Sequence, residues 1–372
     1  MKKITSCVIL IIILLGSAYV YLRYSKNREQ IKPYPYVYRN IDIPEYDTEA
    51  PILIIGDRQA TRLASFSKYL AQMVSLNLSK PIKVTSIAQK GEGIHRTLEK
   101  IKRLPKLPLI ILYLGGNEEY YESIFHTKDI KRITTNLKKF SDPVTKSLIM
   151  IFPAISRFLY KPVDYKVLDK EITKDTNTYT DTTIQKRNII LFELYKEHLR
   201  ELLDFTKDHG SFLVAITQPL NLDSVPRKSC TGSFPANLND KYLEVVKLIK
   251  QKDYKAAYSI SKKLVIMASN NAKILYLHGK VAKNLNKIKE AKKFLKLSSA
   301  YDCSLWRGNI VYNSILRQVA RDKETALFDF QKLIESEWTQ NITFIDDVYP
   351  QSIYFERLSK GLAARIKKLL RL

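Results

Sequence analysis

The chain has 372 residues, is 45% hydrophobic and carries 62 Lys+Arg against 37 Asp+Glu, for a formal net charge of +25. It can bury a proper core, and it exceeds a typical single domain, so an insertion or a second domain is expected. The cations fit attraction to anionic partners or a lysine-rich composition spread over every segment. No Gly/Arg-rich tail, zinc spacing or aromatic RNA-binding signature accompanies them, which excludes nucleic acid as a partner.

After a short basic segment, 1–3, no charge occurs from Ile4 to Leu22. At about 1.5 Å per residue this run can cross a hydrocarbon core of roughly 30 Å. It reads as an uncleaved transmembrane anchor over 4–22; a cleavable signal peptide is the alternative, since Gly16 and Ala18 supply small residues. Arg23, Lys26, Arg28 and Lys32 follow it, but long domains translocate largely regardless of flanking charge. Export of the main domain is therefore expected. Residues 23–50, with Pro33, Pro35 and Pro44 among tyrosines, read as a linker.

The domain begins with Pro51-Ile-Leu-Ile-Ile-Gly-Asp, a buried strand feeding a helix through Leu63, Phe66, Leu70 and Met73. Ile82 to Ala88, Leu107 to Leu114, Ser147 to Pro153 and Ser211 to Pro219 read as further strands, with helices through Leu98 and Ile101 and from Leu191 to Phe205. Alternating buried strands and helices predict a parallel sheet covered on both faces, with sites at the strand carboxyl ends. Gly56-Asp57-Arg58, Gly115-Gly116-Asn117 and Thr217-Gln218-Pro219 fall at such ends.

From Leu238 and from Ala272, two windows 34 residues apart align Val245 with Gly279, Leu248 with Ala282 and Ala257 with Ala291. That period is the tetratricopeptide (TPR) length. The first copy is degenerate at Lys241 and Ser261, and two copies are too few to stand alone, so they should lean on the main domain. A docking surface and a structural lid are both open readings. Cys230 and Cys303 flank this insertion, whose ends must return to neighbouring points. A disulfide there would close a loop of about 70 residues, contribute roughly 4 kcal/mol and need an oxidising space. Two buried free thiols are the alternative.

In order along the chain, four short blocks resemble those of the SGNH, or GDSL-type, hydrolase family, in the branch that carries a TPR insertion. They are Gly56-Asp57-Arg58, Ser86-Ile87-Ala88, Gly115-Gly116-Asn117-Glu118 and Asp346-Asp347-Val348-Tyr349-Pro350. Thr217 to Leu222, Asp302 to Arg307 and Asn313 to Ala320 resemble segments that flank the insertion in that branch. The resemblance implies a three-layer α/β/α, flavodoxin-like parallel sheet over 51–237 and 306–372, interrupted by TPR-like helices at 238–305. It also puts Arg58 where the nucleophile would stand, Ala88 at a glycine oxyanion donor, Asn117 at the side-chain oxyanion donor and Tyr349 in place of the catalytic histidine after Asp346.

Such an esterase needs a hydroxyl nucleophile, an imidazole base, an orienting carboxylate and oxyanion donors. Arginine stays protonated and tyrosine is a poor base near neutrality, so no catalytic set is intact. Thr61 and Ser65 should point away from the strand end, and His95 is a surface or capping residue before it is a catalyst. His126, His198, His209 and His278 show no metal spacing, and no cofactor is implied. Arg58 could pair with Asp346 and plug the cleft, or Arg58, Asn117 and Arg307 could hold an anionic glycan. The expected protein is thus a non-catalytic, single-pass protein of a bacterial inner membrane, with its main domain in the periplasm and protein partners on the TPR-like segment. An envelope esterase or O-acyltransferase with a non-standard nucleophile, and an anionic glycan-binding module, are the alternatives.

Overall fold

The computed structural model describes residues 10–19, 41–76, 81–122, 125, 129–151, 153–160, 179–230 and 236–370. The chain divides into two compact units, one of residues 1–39 and 123–174 and the other of 40–122 and 175–372.

In the first unit, residues 10–19 form helix α1; the rest of the expected anchor, like most of the expected linker and His126, lies outside the described residues. Among the described residues no helix is long and apolar enough to cross a membrane. The other helices of this unit are α6 (Ile130–Ser141), α7 (Pro143–Ile151) and α8 (Ser156–Tyr160). The strand expected at Ser147 to Pro153 is corrected: most of it is the second half of α7. Asp142 accepts from Thr145 N at 2.8 Å and Pro143 takes the first helical position, so the start signal outranks an apolar run that fits strand or helix equally.

The second unit runs β1 (Ile52–Gly56), α2 (Arg58–Ala64), α3 (Ser67–Ser75), β2 (Val84–Ser86), α4 (Ile94–Lys102), β3 (Ile110–Leu114), α5 (Glu119–Glu122), α9 (Asp181–Asp208) and β4 (Phe212–Ile216). Then come α10 (Ala236–Lys250), α11 (Tyr254–Met267), α12 (Ala272–Asn284), α13 (Ile288–Tyr301), α14 (Ile310–Asp322), β5 (Ala326–Phe328), α15 (Phe330–Glu337) and α16 (Ser352–Leu370). The five strands are all parallel, in the order β2-β1-β3-β4-β5. β5 has no counterpart among the expected strands.

Alternate strand residues feed opposite faces, as a period of two requires. Ile52, Ile54, Ile110 and Leu112 pack with α2, α3, α15 and α16 through Leu63, Leu70, Phe330 and Phe355. Leu53, Ile55, Ile111 and Tyr113 pack with α4, α9 and α14 through Leu98, Leu199 and Leu316. Both faces are therefore covered, and the polar loops are left to the strand ends. Ile43 and Tyr46 join the second cluster, so packing starts ahead of Ala50.

Helices α10 to α12 bury Val245, Ala257, Leu264, Ile274 and Val281 in a cluster of their own, while α13 packs Ala291 and Leu295 against Ala282, Leu220 and Leu222. A Cβ on Gly279 would stand 2.7 Å from Leu295, and Ala257 and Ala291 are fully buried, so the small residues of the 34-residue pattern sit where helices touch. Ser261 is buried too, bonded to His278 Nδ1 at 2.8 Å. Cys230 and Cys303, with Cα atoms 6.0 Å apart, are joined in a disulfide that ties the two ends of this segment together.

Candidate functional site

The loops after β1, β3 and β4 converge on one buried carboxylate. Gly56 ends β1 with φ +127 because the Leu114 carbonyl of β3 lies against it, leaving no room for a Cβ. The next residue, Asp57, is 1% exposed and caps α2, with Oδ1 accepting from Gln59 N at 2.9 Å. Its Oδ2 accepts from Asn117 N at 2.7 Å and from Gln218 Nε2 at 3.1 Å. One side chain thus ties three strand ends. Burial pushes its carboxyl up to about 7, although all three partners are donors that favour the ionised form. Asn313 of α14 fixes Gln218 in turn: Oδ1 accepts from Gln218 N at 2.7 Å and Nδ2 donates to Gln218 O at 2.8 Å.

Arg58 pairs with Glu118, not with Asp346 as expected for a plug. Glu118 is essentially unexposed and also accepts from Gly91 N, so both of its oxygens are engaged. The Arg58 guanidinium carbon also stands 5.6 Å from the Tyr121 ring centre. Asp346 is used locally instead: Oδ1 accepts from Val348 N at 2.7 Å and Tyr349 N at 2.6 Å. It shapes the turn and makes no bond to the Tyr349 ring. That turn reaches α2 through Gln59 Nε2, which donates to Val348 O at 2.8 Å.

The remaining expected positions are as follows. Ala88 N donates to Ser86 Oγ at 3.2 Å, which occupies the N–H assigned to an oxyanion. Asn117 is 3% exposed and its Nδ2 has no hydrogen-bond partner among the described residues. Arg307, 5% exposed, donates from Nη1 to Asn221 O at 2.9 Å and from Nη2 to Ser224 O at 3.1 Å. The expected ligand contact of Arg307 gives way to a brace on the 221–224 loop. Thr61 Oγ1 donates to Asp57 O at 3.3 Å and Ser65 Oγ to Thr61 O at 3.5 Å, so both hydroxyls lie back along their helix. His95 is buried, not on the surface, with its ring 5.2 Å from that of His198. Among the described residues no cluster of His, Cys, Asp and Glu could hold a metal ion.

Beside these positions lies a carboxylate cluster that sequence reasoning missed. The short helix α5 aims Glu119 and Glu122 at the amino end of α4: Glu119 Oε1 accepts from Ile94 N at 2.9 Å and Glu122 Oε2 accepts from Gly93 N. Arg96 Nε also donates to Glu122 at 2.8 Å. Anionic groups at helix N–H donors are favourable, yet burial pushes Glu122 up to about 7 and Glu119 well above the carboxylate range. A second buried pair, at 2.7 Å, joins Lys100 of α4 to Glu92 just ahead of that helix, burial pushing the lysine down and the glutamate up. The available signal was three glutamates, Glu118, Glu119 and Glu122, within eight residues after the end of β3, a place where free solvation is scarce.

No family model and no curated protein matches the chain. Among solved structures it is similar to a catalytic mutant of Axe2, an acetylxylan esterase from Geobacillus stearothermophilus, at 8% identity and TM-score 0.38, covering 85% of this chain and 93% of that one. A second Axe2 mutant, described as an acetyl-xylooligosaccharide esterase, matches at 9% identity and TM-score 0.36 with the same coverage.

Proposed function

We propose that this chain is a pseudoenzyme: a membrane-anchored envelope protein in which a degenerate SGNH-type domain and its TPR-like insertion serve protein interaction or assembly. The observation that carries this reading is the Arg58 to Glu118 ion pair. The side chain at the nucleophile position is a permanent cation, held by a buried carboxylate that a backbone N–H holds as well. Two further groups that an esterase would need free are spent locally, Asp346 on the Val348 N–H and the Ala88 N–H on Ser86 Oγ. The disulfide supports an oxidising compartment, and the apolar run over 4–22 supports an inner-membrane anchor with the main domain in the periplasm.

The test is a serine-reactive fluorophosphonate probe and a short-chain acyl-ester assay on the full-length protein in mild detergent. No labelling and no turnover are expected. Labelling or hydrolysis abolished by one cleft substitution would overturn the proposal and restore the esterase or O-acyltransferase reading. One observation favours the alternative of an anionic glycan-binding module, namely that the buried Asn117 Nδ2 has no hydrogen-bond partner among the described residues. Retention of an acidic oligosaccharide that is lost in Asn117→Ala would support that alternative over a purely structural cleft.

A further inference from the structure

The lysines are not evenly spread. Residues 236–301 hold 15 lysines and no arginine, against Asp240, Glu244, Asp253 and Glu290. That net charge of +11 is nearly half of the chain's +25 in under a fifth of its length. Within this segment α11 contains no acidic residue, and its two sides differ sharply. Ala257, Ser261 and Leu264 are buried against neighbouring helices. Lys255, Ser259, Lys262 and Ile266, at helical spacing on the other side, are all exposed, as are Lys263 and Met267 beside them. Ile266 is 76% exposed and Met267 53%. Lys255, Lys262 and Lys263 form no ion pair among the described residues, and Asp253, the nearest carboxylate in sequence, caps the helix by accepting from Ala256 N at 3.1 Å.

We infer that this outer face of α11 docks on an anionic phospholipid bilayer. Two bare apolar side chains among flexible ammonium groups suit a headgroup layer, with the apolar tips entering the acyl boundary and the lysines staying at the phosphates. The absence of arginine separates this surface from a protein-binding one, because protein interfaces enrich arginine and deplete lysine. The inference rests on α11 alone and does not depend on the fate of the SGNH-type cleft.

The full-length chain carrying Ile266→Trp, mixed with vesicles during detergent removal, gives a direct readout, since the native Trp306 and Trp338 are buried. Brominated phosphatidylglycerol should quench the new indole, and brominated phosphatidylcholine should not. Adding Lys255→Gln, Lys262→Gln and Lys263→Gln should abolish the quenching and weaken docking about a hundredfold, at about fivefold per lysine. A control chain with Ile342→Trp, on an exposed loop, should stay unquenched. Absence of quenching in the anionic vesicles, as a surface made for an acidic protein would give, overturns the inference. Equal quenching in neutral lipid, or of the Ile342→Trp control, overturns it too.

Discussion

Replacing Gly93 by alanine should destabilise the protein although nothing in the local backbone forbids it. Gly93 has φ −87 and ψ −180, an extended conformation open to any residue, so the lower conformational entropy of the unfolded chain would by itself favour alanine by about 0.4–1 kcal/mol. The new Cβ, however, would stand 2.7 Å from Glu119 Oε2 and 2.7 Å from Glu122 Oε2. Both carboxylates must retreat, and they are the groups that hold Ile94 N, Gly93 N and Arg96. A hydrogen bond between neutral groups contributes about 0.5–1.5 kcal/mol and one to a charged partner such as Arg96 about 1.5–3 kcal/mol, so weakening two or three of them outweighs the entropic gain and leaves a net loss of about 1–3 kcal/mol. Urea denaturation should show a lower midpoint with an unchanged slope. A Gly93→Ala protein as stable as the parent would refute the idea that the α5 carboxylates clamp the head of α4.

Two further outcomes follow from buried charge and from the crosslink. Asp57 and Glu122 sit at about 7 in the folded protein and Glu119 is raised as well, all chiefly by burial, against roughly 4 when unfolded. Their stabilisation is complete below about pH 4 and is lost as pH rises through 7, on the order of 3–4 kcal/mol each for Asp57 and Glu122. The urea midpoint should therefore be higher at pH 5 than at pH 8. Asp223 and Asp329 are held low, their burial outweighed by Lys283 and Lys280 and by Arg317, and their contribution changes only below that window. A flat or rising profile from pH 5 to 8 would contradict the burial argument. Cys230→Ala with Cys303→Ala opens a crosslink spanning a sequence separation of 73 and should cost about 4 kcal/mol, as should reduction of the parent protein. Denaturation showing a loss below about 1 kcal/mol would mean that packing alone closes the insertion.

Strands β1, β3 and β4 were legible because both of their faces are buried, which leaves an unbroken apolar run between turn residues. The same cue misled at Ser147 to Pro153, where Asp142 and Pro143 decided for helix. β5 left almost no trace: Ala326–Phe328 is three residues long, half-buried and at the sheet edge. At the site, the strand-end positions of Asp57, Asn117 and Gln218 could be read from the chain, but the choice of partner for Arg58 could not. Glu118 and Asp346 are equally plausible acids in one dimension, and only the fold puts Glu118 within reach. Arg307 shows the converse, a cation that looked available until its carbonyl partners on the 221–224 loop came into view.

The joint between the insertion and the sheet bears on how the chain could be dissected. Asp223, just past β4, takes Lys280 and Lys283 of α12 and Trp338 Nε1 on its carboxylate, and Tyr276 Oη on its carbonyl. Around it Leu220, Leu222, Ala282, Leu295 and Trp338 form one apolar cluster. Cutting out the helical segment would strip cations from Asp223 and uncover an indole and two leucines beside the carboxyl end of the sheet. The helices are thus no detachable cassette: a shortened chain would report on a damaged α/β domain, and domain-swap chimeras would need to carry the 220–224 loop with the helices they transplant.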